Sequence, residues 1–378
     1  MAVRRMMYGI FLVIAFWIFL VYVDYAALQI LCSLVIVPLF TGIMTYVASR
    51  RVMVNLEVKD IYVVKKKTIQ LYIKVINPSI LPFVGARIEI EMKNSFSSEK
   101  VKKKIRVNLA DREVNKFTLD ISPEYLGKID VSIKKIKLYD FTGIWSYKGK
   151  KGKNSVFYVL PANGDVNIKV ANKSNEYIDE PVKYSENEPG DDCSQVFDVR
   201  AFREGDKVQR IHWKLSAKKG DIFVKEFSMP IDAAVDILME LPENNGNRFI
   251  EYADTIIQTA YALSVALLEQ EIYHYIGWYN SKIGELVRKE IASENDIWNA
   301  LYELYHMETY KENLAYRMYE DISENSNSHL FYITSNNEEV IKYMPHKIFM
   351  VGGNVYNENV VNIELGKVYE SIKYLGEV

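Results

Sequence analysis

The chain has 378 residues, with 47 Lys and Arg against 49 Asp and Glu, and 49% of its residues are apolar. That near-neutral balance argues against a general nucleic-acid binder. Its two Cys, Cys32 and Cys193, offer no disulfide framework and suit a reducing compartment.

The first fifty residues carry the strongest signal. Residues 6–22 (MMYGIFLVIAFWIFLVY) and 26–49 (AALQILCSLVIVPLFTGIMTYVAS) contain no charge. Each run is long enough to cross roughly 30 Å of hydrocarbon as a helix. A helix also satisfies its own backbone polar groups there, and Pro38 is tolerable inside such a span. Only Val23, Asp24 and Tyr25 separate the runs, which predicts a tight hairpin. Arg4 and Arg5 precede the first run, Arg50 and Arg51 follow the second, and the connection has no Lys or Arg. Basic flanks stay on the cytoplasmic side. The expectation is a two-span plasma-membrane protein over residues 1–51, with both termini and the soluble part cytoplasmic. A cleaved signal peptide would account for the first run but handles the second badly.

Residues 52–156 read as β structure. VNLEV, TIQLYIKVI, ARIEIEMK, KKIRVNL, KFTLDI and KIDVSIKKIKLY alternate with period two, and turn signals such as Asn77-Pro78 and Gly127 separate them. The pattern predicts a small all-β, sandwich-like domain. The segment is rich in Lys, with runs at Lys65–Lys67 and Lys102–Lys104. Such a domain suits either an anionic lipid surface or a solvated sheet face, and the second reading is preferred. No His precedes His212, so this half offers no imidazole.

Residues 157–197 are polar, with Pro181, Pro189 and Gly190, and read as an extended linker. The next stretch, 198–227 (DVRAFREGDKVQRIHWKLSAKKGDIFVKEF), concentrates Arg, Asp, His and Trp. Asp206 and Arg210 stand four apart and would pair on a helix, while Ile222 to Phe227 alternates as a strand. Three readings are open here. His212 with Asp206 makes a general-base pair. Arg200, Arg210, Lys214 and Lys218 make an anion site. A folded loop locked by Arg–Asp pairs and a buried Trp213 is the structural reading, with room for a partner surface on the same loop, and this last reading is preferred.

This stretch resembles the signature of the bacterial and archaeal domain-of-unknown-function 58 family. The matching residues are Arg200, Phe202, Gly205, Asp206, Arg210, Ile211, Trp213, Ser216 and Ala217; Lys218 stands where that family usually has Arg, and Phe202 where Tyr is common. Tyr139-Asp140-Phe141-Thr142-Gly143-Ile144 and the two apolar runs extend the resemblance over nearly the whole chain. It implies a protein that works beside a MoxR-type AAA+ ATPase. It also implies a C-terminal region similar to the von Willebrand factor A fold.

Residues 228–378 change period. Ala233–Leu241, Glu271–Tyr279, Leu330–Thr334 and Lys347–Val351 read as strands; Phe249–Gln270, Asn295–Met307 and Glu338–Tyr343 read as helices. That alternation predicts an α/β domain with a mostly parallel sheet. The von Willebrand factor A fold often holds a divalent metal through Asp-x-Ser-x-Ser after its first strand. Here the equivalent run is Glu240-Leu241-Pro242-Glu243-Asn244, without the Ser positions, so no metal is expected. His274, His306, His329 and His346 have no zinc spacing, and no Walker loop or dinucleotide fingerprint is present.

The sequence therefore reads as a multi-domain chain: a transmembrane helical hairpin (1–51), a β-sandwich-like domain (52–156), a polar linker (157–197), a family-signature motif (198–227) and an α/β domain (228–378). The expected function is a non-enzymatic, membrane-anchored scaffold or adaptor working with a MoxR-type AAA+ ATPase. It is expected to touch lipid through its hairpin, and to hold no cofactor and no nucleic acid. Its candidate residues are Arg200, Phe202, Gly205, Asp206, Arg210, His212, Trp213, Ser216 and Lys218, as a partner or structural motif rather than a catalytic one. The alternatives are a small-anion sensor or enzyme using the Arg-rich motif, and a structural cell-envelope protein.

Overall fold

A computed structural model describes residues 2–164, 166, 184–190, 192–203, 211–219, 221–230, 235–243, 246–323, 329–336 and 347–372. It is a multi-domain architecture of N-terminal helices, a middle β-sheet region and a C-terminal α/β domain. The chain divides into two compact units, one of Met1–Ala162 with Asn247–Ile250, the other of Asn163–Gly246 with Glu251–Val378.

In the first unit, α1 (Ala2–Tyr22) and α2 (Tyr25–Ser49) form an antiparallel pair. Both are long and apolar enough to cross a membrane. Their apolar side chains face outward: Val13 is 68% and Trp17 66% exposed. Contiguous exposed apolar surface of this size marks a protein or membrane interaction site. The two-residue connection forces Val23 to a φ of 45°, a costly conformation for a β-branched residue.

Ten strands follow: β1 (Met53–Val58), β2 (Tyr62–Val64), β3 (Ile69–Asn77), β4 (Phe83–Asn94), β5 (Lys100–Leu109), β6 (Glu113–Ile121), β7 (Gly127–Tyr139), β8 (Ser146–Lys148), β9 (Lys150–Lys151) and β10 (Ser155–Leu160). One sheet has the order β6-β3-β1-β9, the other β2-β10-β7-β4-β5, with β8 on β7. β1 lies against β7 and β10, so the two sheets share a core. The period-two pattern sorts the sides: Val54, Leu56, Leu71, Ile73 and Val75 from one sheet and Ile88, Ile90, Val131, Ile133 and Phe157 from the other are buried.

The lysine run at 102–104 lies on β5, at an edge of its sheet. Lysine on an edge discourages pairing with another chain. Lys104 stands opposite Glu89 and Lys102 opposite Glu91. Glu91 also meets Lys100 at 2.8 Å, and that contact holds its carboxyl below the ordinary range.

In the second unit, β11 (Tyr184–Gly190), β12 (Asp192–Ala201) and β13 (Phe223–Pro230) form a sheet of order β11-β13-β12. β11 and the first half of β12 fall where the polar sequence reads as a linker. Backbone pairing to β13, irregular in register, makes them strands; no apolar alternation announces it.

The α/β sheet contains β14 (Val235–Met239), β15 (His274–Asn280), β16 (Glu285–Ile291), β17 (His329–Thr334), β18 (Lys347–Val351) and β19 (Val360–Ile363), in the order β16-β15-β14-β17-β18-β19. All neighbours are parallel except β15 and β16. Its helices are α4 (Phe249–Glu269), α5 (Glu294–Leu304), α6 (Ala315–Ser323) and α7 (Val368–Ile372). The expected strands and the helices at Phe249 and Asn295 lie within a few residues of these bounds. The antiparallel β16, α6, β19 and α7 were not expected. The helix expected at Glu338–Tyr343 lies outside the described residues, as does His346.

His274 is fully buried at the start of β15. Its Nδ1 is 3.0 Å from the Ile272 carbonyl and its Nε2 is 2.6 Å from Ser264 Oγ. A carbonyl only accepts, so Nδ1 carries the proton and Ser264 donates to Nε2. Burial pulls the pKa below its ordinary 6.5. Above pH 6.5 the imidazole is neutral folded or unfolded, and the stability is fully present. As the pH falls below that value the unfolded chain takes up a proton that the folded one resists, so stability declines until the folded pKa is passed. Inside that window each pH unit costs about 1.4 kcal/mol. The protection factors of α4 and β15 peptides, exchange rates corrected for the intrinsic pH dependence of amide exchange, are expected to fall from pH 7 toward pH 5. His274→Asn, which cannot titrate, is expected to lose most of that slope; a slope that survives would place the titration elsewhere.

Candidate functional site

The signature motif folds around the start of β13. Arg200 stands opposite Val224 and Ala201 opposite Phe223 across the β12–β13 pair. Ile211 bridges to Val224. Between them runs the short helix α3 (Trp213–Lys219).

His212 precedes this helix. Its backbone N–H donates to the Phe223 carbonyl at 2.8 Å, and its Nδ1 accepts the Leu215 N–H at 3.2 Å. The imidazole therefore acts as a helix cap through the nitrogen that a base would use. Ser216 Oγ accepts the Phe223 N–H at 2.9 Å, which latches the helix to the strand. Phe202 donates its N–H to the Ile222 carbonyl at 2.9 Å, and the residue is 38% exposed. Arg200 Nη1 donates to the Ala201 carbonyl at 3.1 Å. Lys214 and Lys218 are exposed.

The structure thus gathers Arg200, Phe202, His212, Ser216 and Lys218 into one small strand–helix–strand element. Gly205, Asp206 and Arg210 lie outside the described residues, as does the side chain of Trp213. The proposed His212–Asp206 pair is consequently not described. Ser216→Ala is expected to cost about 1 kcal/mol locally, the worth of one hydrogen bond, and to speed amide exchange at Phe223. Unchanged exchange there would remove the latch.

Sequence reasoning passed over a second constellation, on the first strand of the α/β sheet. In β14 both Asp236 and Glu240, just past its end, are buried, at 3% and 0% exposure. They share a face with Leu238 (period two), and that face packs under α6. Asp236 is held by Arg288 of β16. Arg288 Nε meets Asp236 Oδ1 at 2.7 Å and Nη2 meets Oδ2 at 3.0 Å. Tyr319 of α6 donates to Oδ2 at 2.6 Å. The guanidinium crosses β15 over the Tyr275 ring, 3.7 Å from its centroid. Gly277, opposite both Leu238 and Arg288, adds no side chain on this path.

Glu240 lies at the carboxyl end of β14. There the sheet order reverses, the place where open α/β sheets bind ligands. Its Oε1 accepts from Tyr310 OH at 3.0 Å and from the N–H groups of Leu314 and Ala315, both at 3.3 Å. Its Oε2 accepts from the Tyr316 N–H and the Tyr332 OH, both at 3.3 Å. The carboxylate therefore caps the start of α6, where backbone N–H groups and the helix dipole favour a negative charge. Five donors take up the roughly four lone-pair sites of a carboxylate. Among the described residues no group of three or more His, Cys, Asp or Glu is placed to hold a metal ion. The readable signal for this constellation was two acids inside an otherwise apolar strand, since buried charges are paired.

No family model matches the chain, and no curated protein matches it. Parts of solved structures align weakly. The CARDB domain of the PF1109 protein from Pyrococcus furiosus aligns with 29% of this chain and 87% of its own length, at 11% identity and a TM-score of 0.22. The sixth cohesin of Acetivibrio cellulolyticus scaffoldin B aligns with 28% of this chain and 99% of its own, at 13% identity and a TM-score of 0.21. The Pseudomonas fluorescens alkylpurine DNA glycosylase AlkC aligns with 34% and 40%, at 11% identity and a TM-score of 0.20. Likeness at this level carries no functional argument.

Proposed function

We propose that this protein is a non-enzymatic, membrane-anchored scaffold of the domain-of-unknown-function 58 type. Its hairpin spans the plasma membrane twice, with both termini and the soluble units in the cytoplasm, and the soluble units present a docking surface to a MoxR-type AAA+ ATPase. The orientation rests on Arg4, Arg5, Arg50 and Arg51 flanking the two spans. The von Willebrand factor A assignment is favoured by the strand order, third-second-first-fourth-fifth-sixth with the third strand antiparallel.

One observation carries the scaffold reading. The groups best suited to chemistry are engaged in holding the fold. His212 Nδ1 and Ser216 Oγ accept backbone N–H groups, and Glu240, just past the end of β14, caps a helix. The test is in-cell crosslinking and purification of the full-length protein, beside an Asp206→Ala/Trp213→Ala variant shown to be folded. The expected result is enrichment of an AAA+ ATPase by the wild type and its loss in the variant. Recovery of other partners without any ATPase would sink the adaptor reading.

A further inference from the structure

We propose that the loop at residues 140–145 is a second membrane contact, in which Phe141 inserts into the headgroup boundary of the leaflet that receives the basic ends of the hairpin. This rests on the reading that the hairpin spans the bilayer.

The loop is tied by its own hydrogen bonds and displays an aromatic ring. Asp140 is buried at 2% exposure, whereas Phe141 is 84% exposed. Asp140 Oδ1 accepts the Trp145 N–H at 2.7 Å, and Oδ2 accepts the Thr142 N–H at 3.2 Å and the Thr142 hydroxyl. The Gly143 N–H closes the turn onto the Asp140 carbonyl at 3.0 Å, at a φ of 72° that favours glycine. A loop already fixed in this way loses little freedom when its tip is buried.

Two ties set its level. Arg5 Nε of α1 donates to the Ile144 carbonyl at 2.9 Å. Trp145 lies against Gly42 of α2, where an added Cβ would stand 3.0 Å from its ring, and Tyr147 packs edge-on against Tyr46 with centroids 5.5 Å apart. At 1.5 Å per residue, Arg5 and Gly42 each stand roughly 27 Å along their helices from the Asp24 turn. With Asp24 at one interface of roughly 30 Å of hydrocarbon, both fall at the other. There Trp and Tyr concentrate in membrane proteins. Beyond Gly42, Thr45, Ala48 and Ser49 are buried within the unit.

The surrounding charge fits an anionic leaflet. Residues 141–155 contain no acid and four lysines, Lys148, Lys150, Lys151 and Lys153, in addition to the four arginines at the helix ends. Basic residues beside a membrane exit are drawn to anionic lipid. An exposed aromatic tip beside them supplies the apolar half of the contact.

The test uses the full-length chain with Cys32→Ser and Cys193→Ser and one new cysteine, Phe141→Cys, Val13→Cys or Thr68→Cys. Each is labelled with an environment-sensitive nitrobenzoxadiazole and reconstituted in phosphatidylcholine–phosphatidylglycerol vesicles. Val13 reports the middle of α1; Thr68 reports the end of β3 far from the hairpin exit. The expected result at position 141 is blue-shifted emission, quenched several-fold more by a shallow nitroxide lipid than at position 68, with weak quenching by iodide. Lipid quenching at position 13 but iodide quenching at 141 equal to that at 68 would overturn the proposal and leave the hairpin standing. Absence of lipid quenching at position 13 would overturn the hairpin and this proposal with it.

Discussion

Glu240→Ala is expected to destabilise the α/β unit by about 3–5 kcal/mol, the scale of a broken buried charge network. The change leaves Tyr310 and Tyr332 hydroxyls and the Leu314, Ala315 and Tyr316 N–H groups without their acceptor. Each donor left buried and unsatisfied costs about 1–3 kcal/mol, partly relieved by local fraying and water. Glu240→Gln is expected to rescue little, because its amide NH2 would face donors where an acceptor is needed. Hydrogen exchange is the suitable measurement, since a multi-domain chain has no single unfolding equilibrium. Peptides covering α6 and β14 should lose protection first. Added Mg²⁺ or a chelator should leave the wild-type protection unchanged. Metal-dependent protection, together with a mild effect of Glu240→Gln, would replace the capping role with a ligand role.

The Asp236–Arg288 pair makes the second large prediction, and it is asymmetric. The Asp236 side chain is 4% exposed and that of Arg288 27%. Arg288→Met leaves a buried carboxylate without its counter-charge and is expected to cost about 3–5 kcal/mol. Asp236→Leu leaves a cation that can turn to solvent and is expected to cost about 1–3 kcal/mol, including the hydrogen bond lost by Tyr319. The double change is expected to return most of the loss, because well-packed apolar residues often replace a buried pair with little penalty. A double-mutant cycle reads this coupling directly. Additive single effects would mean that the 2.7 Å contact contributes nothing as a pair.

These two acids show how far the sequence could be read. VDILME is visible as an apolar strand because apolar composition over a few residues is a local property. The same six letters contain Asp236 and Glu240 but not their partners, which lie 52 and 70–92 positions away. The signature motif shows the same division. Its strand at Ile222–Phe227 was legible from alternation. The capping role of His212 and the latch at Ser216 depend on Phe223 being brought back beside α3, which spacing does not reveal.

Residues 184–201 make the case from the opposite side. YSENEPG has little strand propensity, and it is a strand because β13 offers it a hydrogen-bonding edge. In the sequence Asp140 stands out only as part of the run that extends the family resemblance. Only the folded loop shows that it is buried and holds Phe141 outward.

By itself the sequence determined the two long apolar helices with their basic flanks, the β character of residues 52–156 and the later alternation of strands and helices. Each of these is a matter of composition or period within about twenty residues. Tertiary structure alone decided the strand order, the antiparallel β16, the strand at 184–190, and which buried acid met which donor. Those outcomes depend on pairings between residues far apart in the chain, and a buried charge is settled only by the groups that folding brings around it.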